Sequence, residues 1–380
     1  MLYSVKGLTR VHVIATGVGS EWGITEGGCI MDNEPLTKAT IYEVAARAGV
    51  SIATVSRVIN GYERIRPSTR EQVLQAIGQL GFVPNTSARG LSGGSHRIIR
   101  LVFKRSPTED SFELIQESLL FTDAIIRGVE RTCGRRGYSL LLGGVDDDNF
   151  DGRIDEMVAN CDGLILLDRT LKERLVPVVT KRIPTVLLAG SGRSRSAVTV
   201  MVDNHDAMVQ LATHLVGDHH LKRLAFLAGF ADSPDSMTRR ETFCQTAKEL
   251  GASVEMGSEW YSDYTSVGAA QVVRERLASG VEMPQAIACA NDQAAIGAVH
   301  ALTQAGLRVP QDIAVTGFDD ISVARHMSPA LTTVHQPIEE LGSVAADVLI
   351  DQTTSQRRPA MKNIVLPIRL VIRESCGCKG

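Results

Sequence analysis

Residues 40–61 read TIYEVAARAGVSIATVSRVING, and they predict two short helices joined by a tight turn. Thr40 and Glu43 have the spacing of a capping box, in which the threonine hydroxyl accepts from the glutamate amide and the carboxylate reaches back to the threonine amide. Gly49 can adopt the positive φ that ends the first helix, and Ser51 is placed to cap the second. The pattern predicts the first two helices of a small bundle.

A third helix is predicted from Ser68, just after Pro67, to Gly81. Ser68 and Glu71 repeat the capping-box spacing directly after Pro67, and Gly81 can end the helix. The apolar residues expected to face inward are Val55, Val58 and Ile59 of the second helix and Val73, Leu74, Ile77 and Leu80 of the third. Three helices with a tight turn between the first two have the helix-turn-helix arrangement, whose second helix fits the major groove of DNA. The spacing by itself also permits a three-helix bundle with another role.

Charge is unevenly distributed along the chain. Between Lys38 and Arg97 there are eight Lys or Arg residues and three acidic ones, so the acidic excess behind the net charge of -3 lies elsewhere. A basic segment attached to an acidic body indicates a small module that binds a polyanion, joined to a larger domain with another function.

Length and composition limit the class of protein. The 380 residues are 44% hydrophobic and 22% charged, which excludes wholesale disorder and leaves room for two or three domains. No run approaches the ~20 apolar residues of a membrane-spanning helix. Seven cysteines, mostly single, predict a reducing cytoplasm rather than a disulfide framework. Residues 1–37 are expected to be a loose N-terminal extension without a signal peptide, with Met31 as an alternative start.

Residues 40–61, followed by Val73 to Asn85 at the expected distance, resemble the headpiece of the lactose-repressor (LacI/GalR) family almost residue by residue. The resemblance implies a DNA-binding headpiece over residues 38–84. It also implies that Ile52, Ala53 and Arg57 meet the bases, Arg57 through a guanidinium that suits guanine or phosphate. The residues that would serve mainly the phosphates and the fold are Thr40, Tyr42, Ser51, Thr54, Ser56 and Asn60.

Residues 85–96 would then form a hinge between the headpiece and the body. Gly90 costs a helix ~1 kcal/mol relative to Ala, so a flexible linker and a short helix are both open. The resemblance implies that the hinge is coil in the free protein and becomes helical when two copies pair on DNA, with Leu91 wedged into a minor-groove step. The other hinge residues expected at DNA are Asn85, Ala88 and Arg89.

From Arg97 onward, apolar runs alternate with amphipathic stretches, which predicts parallel sheets covered by helices on both faces. The predicted strands are Ile98–Phe103, Ser139–Leu142, Gly163–Leu167, Thr185–Leu188, Val198–Val202, Arg223–Ala228, Ala286–Ala290, Ile313–Thr316 and Ile364–Leu366. The predicted helices include Thr122–Gly137, Asp206–Val216 and Asn291–Ala305.

With the resemblance, the expected fold is an all-α helix-turn-helix headpiece plus an α/β periplasmic-binding-protein-like body of two doubly wound parallel-sheet lobes. The body would span residues 97–380 and serve effector binding and dimerisation. Lobe 1 is expected at about 97–201 and 335–352, and lobe 2 at about 202–334 and 360–380.

Ligands of parallel sheets bind at the carboxyl ends of the strands, and polar residues follow several predicted strands there. Asn291-Asp292 and Asp319-Asp320 both stand at such ends, and carboxylates suit hydroxyl-rich ligands. Asp292 and Asp320 are expected to cap the following helices instead. The resemblance implies that the effector contacts are Phe121, Arg239, Asn291, Asp319 and Gln336.

Two features depart from the family pattern, and a third bears on the charge of the effector. Lys104 to Leu120 is interpreted as a long acidic insertion after the first strand, and Ala189-Gly190 stands where many relatives have a polar ligand contact. The pair Arg239-Arg240 favours an anionic effector such as a sugar phosphate or a sugar acid, although a surface ion pair is an equal alternative for Arg240.

Two further groups are interpreted as structural. His219-His220 has no Cys or His at metal-like spacing nearby, so a solvated pair at a helix end is expected rather than a zinc site. Cys376-Gly377-Cys378 could bind metal or oxidise, but a small buried or fraying tail is expected. With no nucleophile elbow, Walker loop or acid–base pair in the sequence, no metal, cofactor or catalytic activity is predicted.

The expected function is that of a cytoplasmic, homodimeric transcription regulator, in the first place a repressor. It would bind a near-palindromic DNA operator under allosteric control by a small sugar or sugar derivative. Two alternatives stay open, a sugar-binding receptor without a DNA function and an α/β enzyme with a regulatory headpiece.

Overall fold

The structure, a computed structural model, describes residues 39–59, 61–62, 64–83, 95–104, 112–145, 150–167, 169–354 and 363–379. The expected extension over residues 1–37 lies outside this range, and so do the expected DNA contacts Asn60, Asn85, Ala88, Arg89 and Leu91. Contacts divide the chain into two compact units, one up to residue 84 and one from residue 85 onward. No described helix is both long and apolar enough to cross a membrane.

The headpiece consists of α1 (Ile41–Ala48), α2 (Ile52–Ile59) and α3 (Pro67–Leu80). The predicted capping box at α1 is confirmed, since the Thr40 amide donates to a Glu43 carboxylate oxygen at 2.6 Å and the Glu43 amide donates to the Thr40 hydroxyl at 3.4 Å. Gly49 has a φ of 65°, as predicted for the residue that ends this helix. The headpiece core is formed by the buried residues Val44, Ala45, Val55, Val58, Val73 and Ala76.

Two details of α3 differ from the prediction. The helix begins one residue earlier, with Pro67 in its first turn and Arg66 at the N-cap, and no side chain caps it. Proline suits the first helical position because its missing amide would have no hydrogen-bond partner there. With Pro67 in that position, Ser68 is the second residue of the helix and cannot be its N-cap. Leu74 is 54% exposed, because it lies about 100° around the helix from the buried Val73.

The body contains twelve strands among the described residues. They are β1 (Ile98–Lys104), β2 (Ser139–Val145), β3 (Gly163–Leu167), β4 (Thr185–Leu188), β5 (Val198–Val202), β6 (Arg223–Leu227), β7 (Ser253–Glu255), β8 (Ala286–Cys289), β9 (Ala314–Thr316), β10 (Thr333–His335), β11 (Ile364–Leu366) and β12 (Arg369–Val371). All nine predicted strands form, with ends that differ by at most three residues, while β7, β10 and β12 were not predicted.

The helices of the body alternate with these strands. They are α4 (Phe112–Arg135), α5 (Phe150–Val158), α6 (Val176–Thr180), α7 (Asn204–Thr213), α8 (Pro234–Glu249), α9 (Ser266–Ala278), α10 (Asp292–Gln304) and α11 (Ile338–Thr354). A π-helix, His214–Asp218, continues α7. Because α4 begins at Phe112, the second half of the expected insertion at residues 104–120 is helical.

Two parallel sheets define the lobes. The sheet of lobe 1 has the order β11-β5-β4-β3-β1-β2, and the sheet of lobe 2 has the order β7-β6-β8-β9. Strands β10 and β12 form a separate antiparallel pair. The expected placement of all of residues 360–380 in lobe 2 is wrong for β11, since Ile364 pairs in parallel with Val200 of β5. The chain therefore passes between the lobes three times: after β5, after β10 and after β11.

Helices α4 and α11 of lobe 1 pack unusually closely. A Cβ placed on Gly128 would lie 2.0 Å from the Glu339 carbonyl oxygen, and one on Gly342 would lie 2.4 Å from the Ile125 carbonyl oxygen. Each glycine thus lets the backbone of the other helix approach where any side chain would collide. This contact holds α11, which comes late in the sequence, against the first helix of the body.

Candidate DNA-binding surface and ligand site

The predicted base-reading residues lie on the exposed side of α2. Ile52 is 41% exposed, and Ala53 and Arg57 are exposed, while Val55 and Val58 on the opposite side are buried in the headpiece core. An apolar side chain as exposed as Ile52 gives nothing to the core, but it can contact a thymine methyl group in a major groove. The helix thus presents one small, mostly apolar face with a guanidinium at one end.

The polar residues expected at the phosphates surround this face. The Ser51 hydroxyl accepts from the Thr54 amide at 3.2 Å and lies 3.0 Å from the Thr54 hydroxyl, so Ser51 caps α2 as predicted. Tyr42 is 69% exposed, and Ser56 is half-buried. The hydroxyls of Thr40 and Ser51 therefore stabilise helix ends, while that of Tyr42 is presented to solvent.

The arginines of the headpiece fall into two groups. Arg47 donates to the Gln79 side chain at 3.0 Å, and Arg70 donates to the Tyr62 carbonyl at 2.6 Å, so both hold the bundle together. Within the described residues, the guanidinium groups of Arg57, Arg64 and Arg66 have no hydrogen-bond or ion-pair partner in the headpiece. Cations left without internal partners are suited to phosphate oxygens.

In the body, the carboxyl ends of the two sheets face each other, as three contacts between the lobes show. Nε of Arg169, after β3, lies 2.7 Å from Oδ1 of Asp232, after β6. Nζ of Lys104, at the end of β1, lies 3.7 Å from Oδ2 of the same carboxylate. The Gly190 amide, after β4, donates to Oδ1 of Asp235 at 3.1 Å. Sequence reasoning missed these residues because no local pattern marks a contact between lobes.

Arg239 of α8 is buried where these ends meet. Its Nε donates to Oδ1 of Asn204 at 2.7 Å, its Nη1 donates to the Ala290 carbonyl at 2.7 Å, and its guanidinium lies 3.5 Å above the Phe318 ring. Its Nη2 has no hydrogen-bond partner among the described residues. Loss of hydration on burial raises the pKa of both Asp235 and Asp319, and the positive charge of Arg239 offsets part of that rise.

Asp319 and Gln336 were both predicted as effector contacts, and they are hydrogen-bonded to each other. The Gln336 amide donates to Oδ1 of Asp319 at 2.5 Å, and both side chains are buried. Burial raises the pKa of Asp319 to about 7, against the influence of Arg239 and of this hydrogen bond. Asp319 also has a φ of 121°. A residue other than glycine keeps this strained conformation only where its neighbours hold it in place.

Asn291 has the capping role that was expected of Asp292. Asn291 caps α10, since its Oδ1 accepts from the Ala294 amide at 3.0 Å, and its Nδ2 donates to the Tyr264 carbonyl at 3.0 Å. Asp292 was expected to be the cap, but its buried carboxylate accepts from the Thr333 hydroxyl and the Ile321 amide. Both polar atoms of the Asn291 side chain are thus already engaged.

Three further expectations are resolved by the contacts. Asp320 is not a helix cap, because its carboxylate accepts from Arg373 at 2.5 Å and lies 3.1 Å from Nδ1 of His335. Arg240 forms no ion pair among the described residues; its Nη1 donates to the Tyr261 hydroxyl at 2.7 Å. Phe121, which was predicted as an effector contact, is half-buried and packs against the main hydrophobic core of the body.

The sequence and the structure match known proteins over most of their length. The family model for bacterial regulatory proteins of the lacI family matches residues 40–85, and that for a periplasmic binding protein-like domain matches residues 212–376. The HTH-type transcriptional repressor PurR of Vibrio vulnificus is 32% identical over 320 residues, 83% of this chain and 92% of that protein. The ribose operon repressor of Escherichia coli is 32% identical over 335 residues, 87% of this chain and 98% of that protein.

Among solved structures, the Lac repressor dimer bound to operator and the anti-inducer ONPF has a TM-score of 0.76 at 26% identity, covering 89% of this chain and 99% of that one. A helix-turn-helix headpiece with an exposed second helix, followed by two α/β lobes with facing strand ends, defines a DNA-binding transcription regulator with a periplasmic-binding-protein-like body. The chain belongs to the lacI family of bacterial regulatory proteins.

Proposed function

We propose that the protein is a cytoplasmic repressor that binds a near-palindromic operator as a homodimer. A small effector held between the lobes controls that binding. The names of the relatives support repression, since PurR and the ribose operon repressor are both repressors. The Lac repressor structure, which is that of a dimer on its operator, supports the homodimer. In a two-fold symmetric dimer, two copies of α2 meet two half-sites, so the symmetry of the operator mirrors that of the protein.

The observation that carries the effector proposal is that the buried Arg239 guanidinium lies near two carboxylic acids, Asp235 and Asp319, where the lobes face each other. One ionised carboxylate is enough to balance its charge within the protein. A phosphate or a carboxylate on the ligand would add further negative charge to this group. We therefore propose a neutral polyhydroxy effector, and the preference for an anionic one drawn from Arg239-Arg240 is given up.

The residues of this group differ in what they offer to a ligand. Nη2 of Arg239 and the second carboxylate oxygen of Asp319 can contact sugar hydroxyls, because an ionised carboxylate accepts from more than one donor. Gln336 and Asn291 would hold the neighbouring groups in place, Gln336 through its bond to Asp319 and Asn291 through its cap on α10. A stacking role for Phe121 remains a proposal from the family resemblance.

The test is a paired ligand screen on the purified full-length protein. Neutral sugars and the phosphate esters of the same sugars are titrated by calorimetry, and each is then added to the protein on duplex DNA from upstream of its own gene. We expect a neutral sugar to bind and to change the DNA affinity, and Arg239→Met to abolish that binding. Arg240→Met is the control, since Arg240 is directed at Tyr261 and should leave the affinity unchanged.

Three outcomes would contradict the proposal. Binding of phosphate esters alone would show that the effector is anionic. Chemical turnover of a bound sugar would favour an enzyme. Sugar binding without salt-dependent affinity for any duplex DNA would favour a receptor.

A further inference from the structure

Four side chains from two distant parts of the chain converge in lobe 2. His214 and His219 lie at the two ends of the π-helix after α7, and Cys376 and Cys378 lie in the last turn of the chain. One ligand atom from each of the four residues lies within 4.8 Å of all the others. The expectation of a solvated His219-His220 pair therefore does not hold for His219, whereas the expectation of a buried tail holds for Cys376.

Four of the six distances among these atoms are close to those of a tetrahedral site, and the other two are within 4.8 Å. Nε2 of His214 lies 3.2 Å from Nε2 of His219 and 3.4 Å from Sγ of Cys376. Sγ of Cys378 lies 3.3 Å from Nε2 of His219 and 3.9 Å from Nε2 of His214. Tetrahedral zinc, with Zn–N near 2.0–2.1 Å and Zn–S near 2.3 Å, sets its ligand atoms roughly 3.3–3.8 Å apart.

His214 is oriented for such a site by a second contact. Its Nδ1 lies 2.9 Å from Oδ2 of Asp218, so Nδ1 carries the proton and Nε2 keeps its lone pair. That lone pair faces the two sulfur atoms and His219. A carboxylate behind a ligating histidine is a common arrangement in zinc proteins, because it fixes the tautomer and raises the basicity of the ligand.

The local backbone brings each pair of ligands together. In the π-helix the His219 amide donates to the His214 carbonyl five residues back, and the two imidazole rings meet edge to face at 4.7 Å. Between the cysteines, Gly377 has a φ of 104°, a turn that a residue with a side chain rarely makes. The π-helix thus brings the two histidines together, and the turn at Gly377 brings the two cysteines together.

The surroundings of the sulfur atoms suit a metal thiolate. Cys376 is buried, and the Thr332 hydroxyl lies 3.1 Å from its sulfur, where it can donate. The thiolate is the form of cysteine that binds metals.

From this geometry we propose that His214, His219, Cys376 and Cys378 bind one zinc ion per chain. Two imidazoles and two thiolates in a tetrahedron are ligands that suit zinc, whereas calcium and magnesium take oxygen ligands. Four protein ligands leave no position open for a substrate, so the role is structural. The ion would tie the end of the chain to the helix that opens lobe 2.

The test uses the full-length protein, purified with its thiols reduced. After removal of metal with a chelator, Co²⁺ and then Zn²⁺ are titrated. We expect one Co²⁺ per chain, with the intense visible bands of tetrahedral cobalt and a sulfur-to-cobalt charge-transfer band, and displacement of Co²⁺ by one Zn²⁺. Chelation should lower the melting temperature of the wild type, because metal that binds only the folded state stabilises it.

Matched variants separate the site from other histidines and cysteines. His219→Asn should weaken zinc binding at least tenfold, whereas His220→Asn, at the exposed neighbouring residue, should not change it. Cys378→Ser should remove part of the charge-transfer intensity, whereas Cys244→Ser, on α8, should leave the spectrum as it is. Asp218→Asn should lower the zinc affinity by about 10–100-fold while keeping the tetrahedral spectrum.

Several results would overturn the proposal. One is a wild-type protein that binds neither ion when reduced. Another is a weak, octahedral cobalt spectrum. A third is zinc affinity that both His219→Asn and Cys378→Ser leave unchanged. If Cys378→Ser fails to fold, the partly exposed His219→Asn and the wild-type cobalt spectrum still decide the question. Formation of a Cys376–Cys378 disulfide in air while the protein is held with excess Zn²⁺ would show that the cluster serves redox chemistry and not zinc.

Discussion

Nε of Arg169 in lobe 1 lies 2.7 Å from Oδ1 of Asp232 in lobe 2, and the same guanidinium lies 3.7 Å above the ring of Phe230. The loop after β3 is thereby joined to the loop after β6. Arg169 is mostly buried while Asp232 is 62% exposed, so the pair contributes little to folding and acts where the lobes meet. The pair is one of three contacts that join the lobes, together with those of Lys104 and Gly190.

The first prediction concerns that contact. Asp232→Ala should weaken effector binding by up to about fivefold, since an exposed ion pair contributes on the order of 1 kcal/mol at most. The loss should shrink at high salt, which screens the pair in the wild type. Calorimetry at two salt concentrations measures it.

The control is Asp155→Ala, which breaks the Arg182–Asp155 ion pair inside lobe 1. An equal loss of effector affinity in that control would show that the contact between lobes has no special part.

The second prediction concerns pH. Burial raises the pKa of Asp319 from 3.8 to about 7, so in the folded protein it is protonated in acid and ionises only around neutral pH. Its contribution to the free energy of unfolding therefore falls as the pH rises from 4 towards 8, by on the order of 4 kcal/mol. Asp319→Asn cannot titrate, so its melting temperature relative to wild type should be higher at pH 8 than at pH 5.

Asp312 offers a control of opposite sign. Hydrogen bonds from Arg308 lower the pKa of Asp312 to about 2, so that carboxylate is ionised throughout the range from pH 5 to pH 8. Asp312→Asn should shift the melting temperature by the same amount at both pH values. A flat difference for Asp319→Asn as well would contradict the second prediction.

The third prediction concerns DNA. Arg57→Ala should weaken binding to the specific operator by about 10–100-fold, corresponding to ~1–3 kcal/mol for one guanidinium contact with a base. Fluorescence anisotropy with labelled duplexes measures it, with a scrambled duplex for comparison. Arg274→Ala, at an exposed arginine of α9, is the control. If Arg57→Ala weakens both duplexes equally, Arg57 contacts phosphate rather than a base.

The fourth prediction concerns packing in lobe 1. Gly128→Ala should lower the free energy of unfolding by about 1–3 kcal/mol, because the new methyl group would collide with the Glu339 carbonyl of α11. Gly134→Ala on the same helix meets nothing within 4 Å and should be neutral or stabilising, since alanine favours a helix. Denaturant unfolding compares the two, and equal effects would show that α4 and α11 do not pack as closely as described.

What the sequence predicts well depends on how far apart the interacting residues are. The capping box of α1 joins Thr40 and Glu43, three residues apart, so local spacing was enough to find it. The strands of the body were found because each is a short apolar run. Asn291 and Asp292 are adjacent and chemically alike, so only the three-dimensional positions of Ala294 and Thr333 show which of them caps α10.

Contacts between distant residues were beyond the sequence. His214 and Cys376 are 162 residues apart, and nothing in either neighbourhood indicates the other. The same holds for Arg169 and Asp232, which meet only because two separate sheets face each other. The family resemblance named Asp319 and Gln336 as effector contacts, and that they are hydrogen-bonded to each other is known only from the structure.

The three passages of the chain between the lobes have a consequence for biosynthesis. Lobe 1 receives its edge strand β11 only at Ile364–Leu366, and lobe 2 receives β12 only at Arg369–Val371. A nascent polypeptide thus leaves the ribosome almost entirely before either half can close, and until then the open edge of β5 is available for pairing with a neighbouring chain. Loss of the last twenty residues by a premature stop codon would accordingly damage both halves at once, not just the one in which the chain ends.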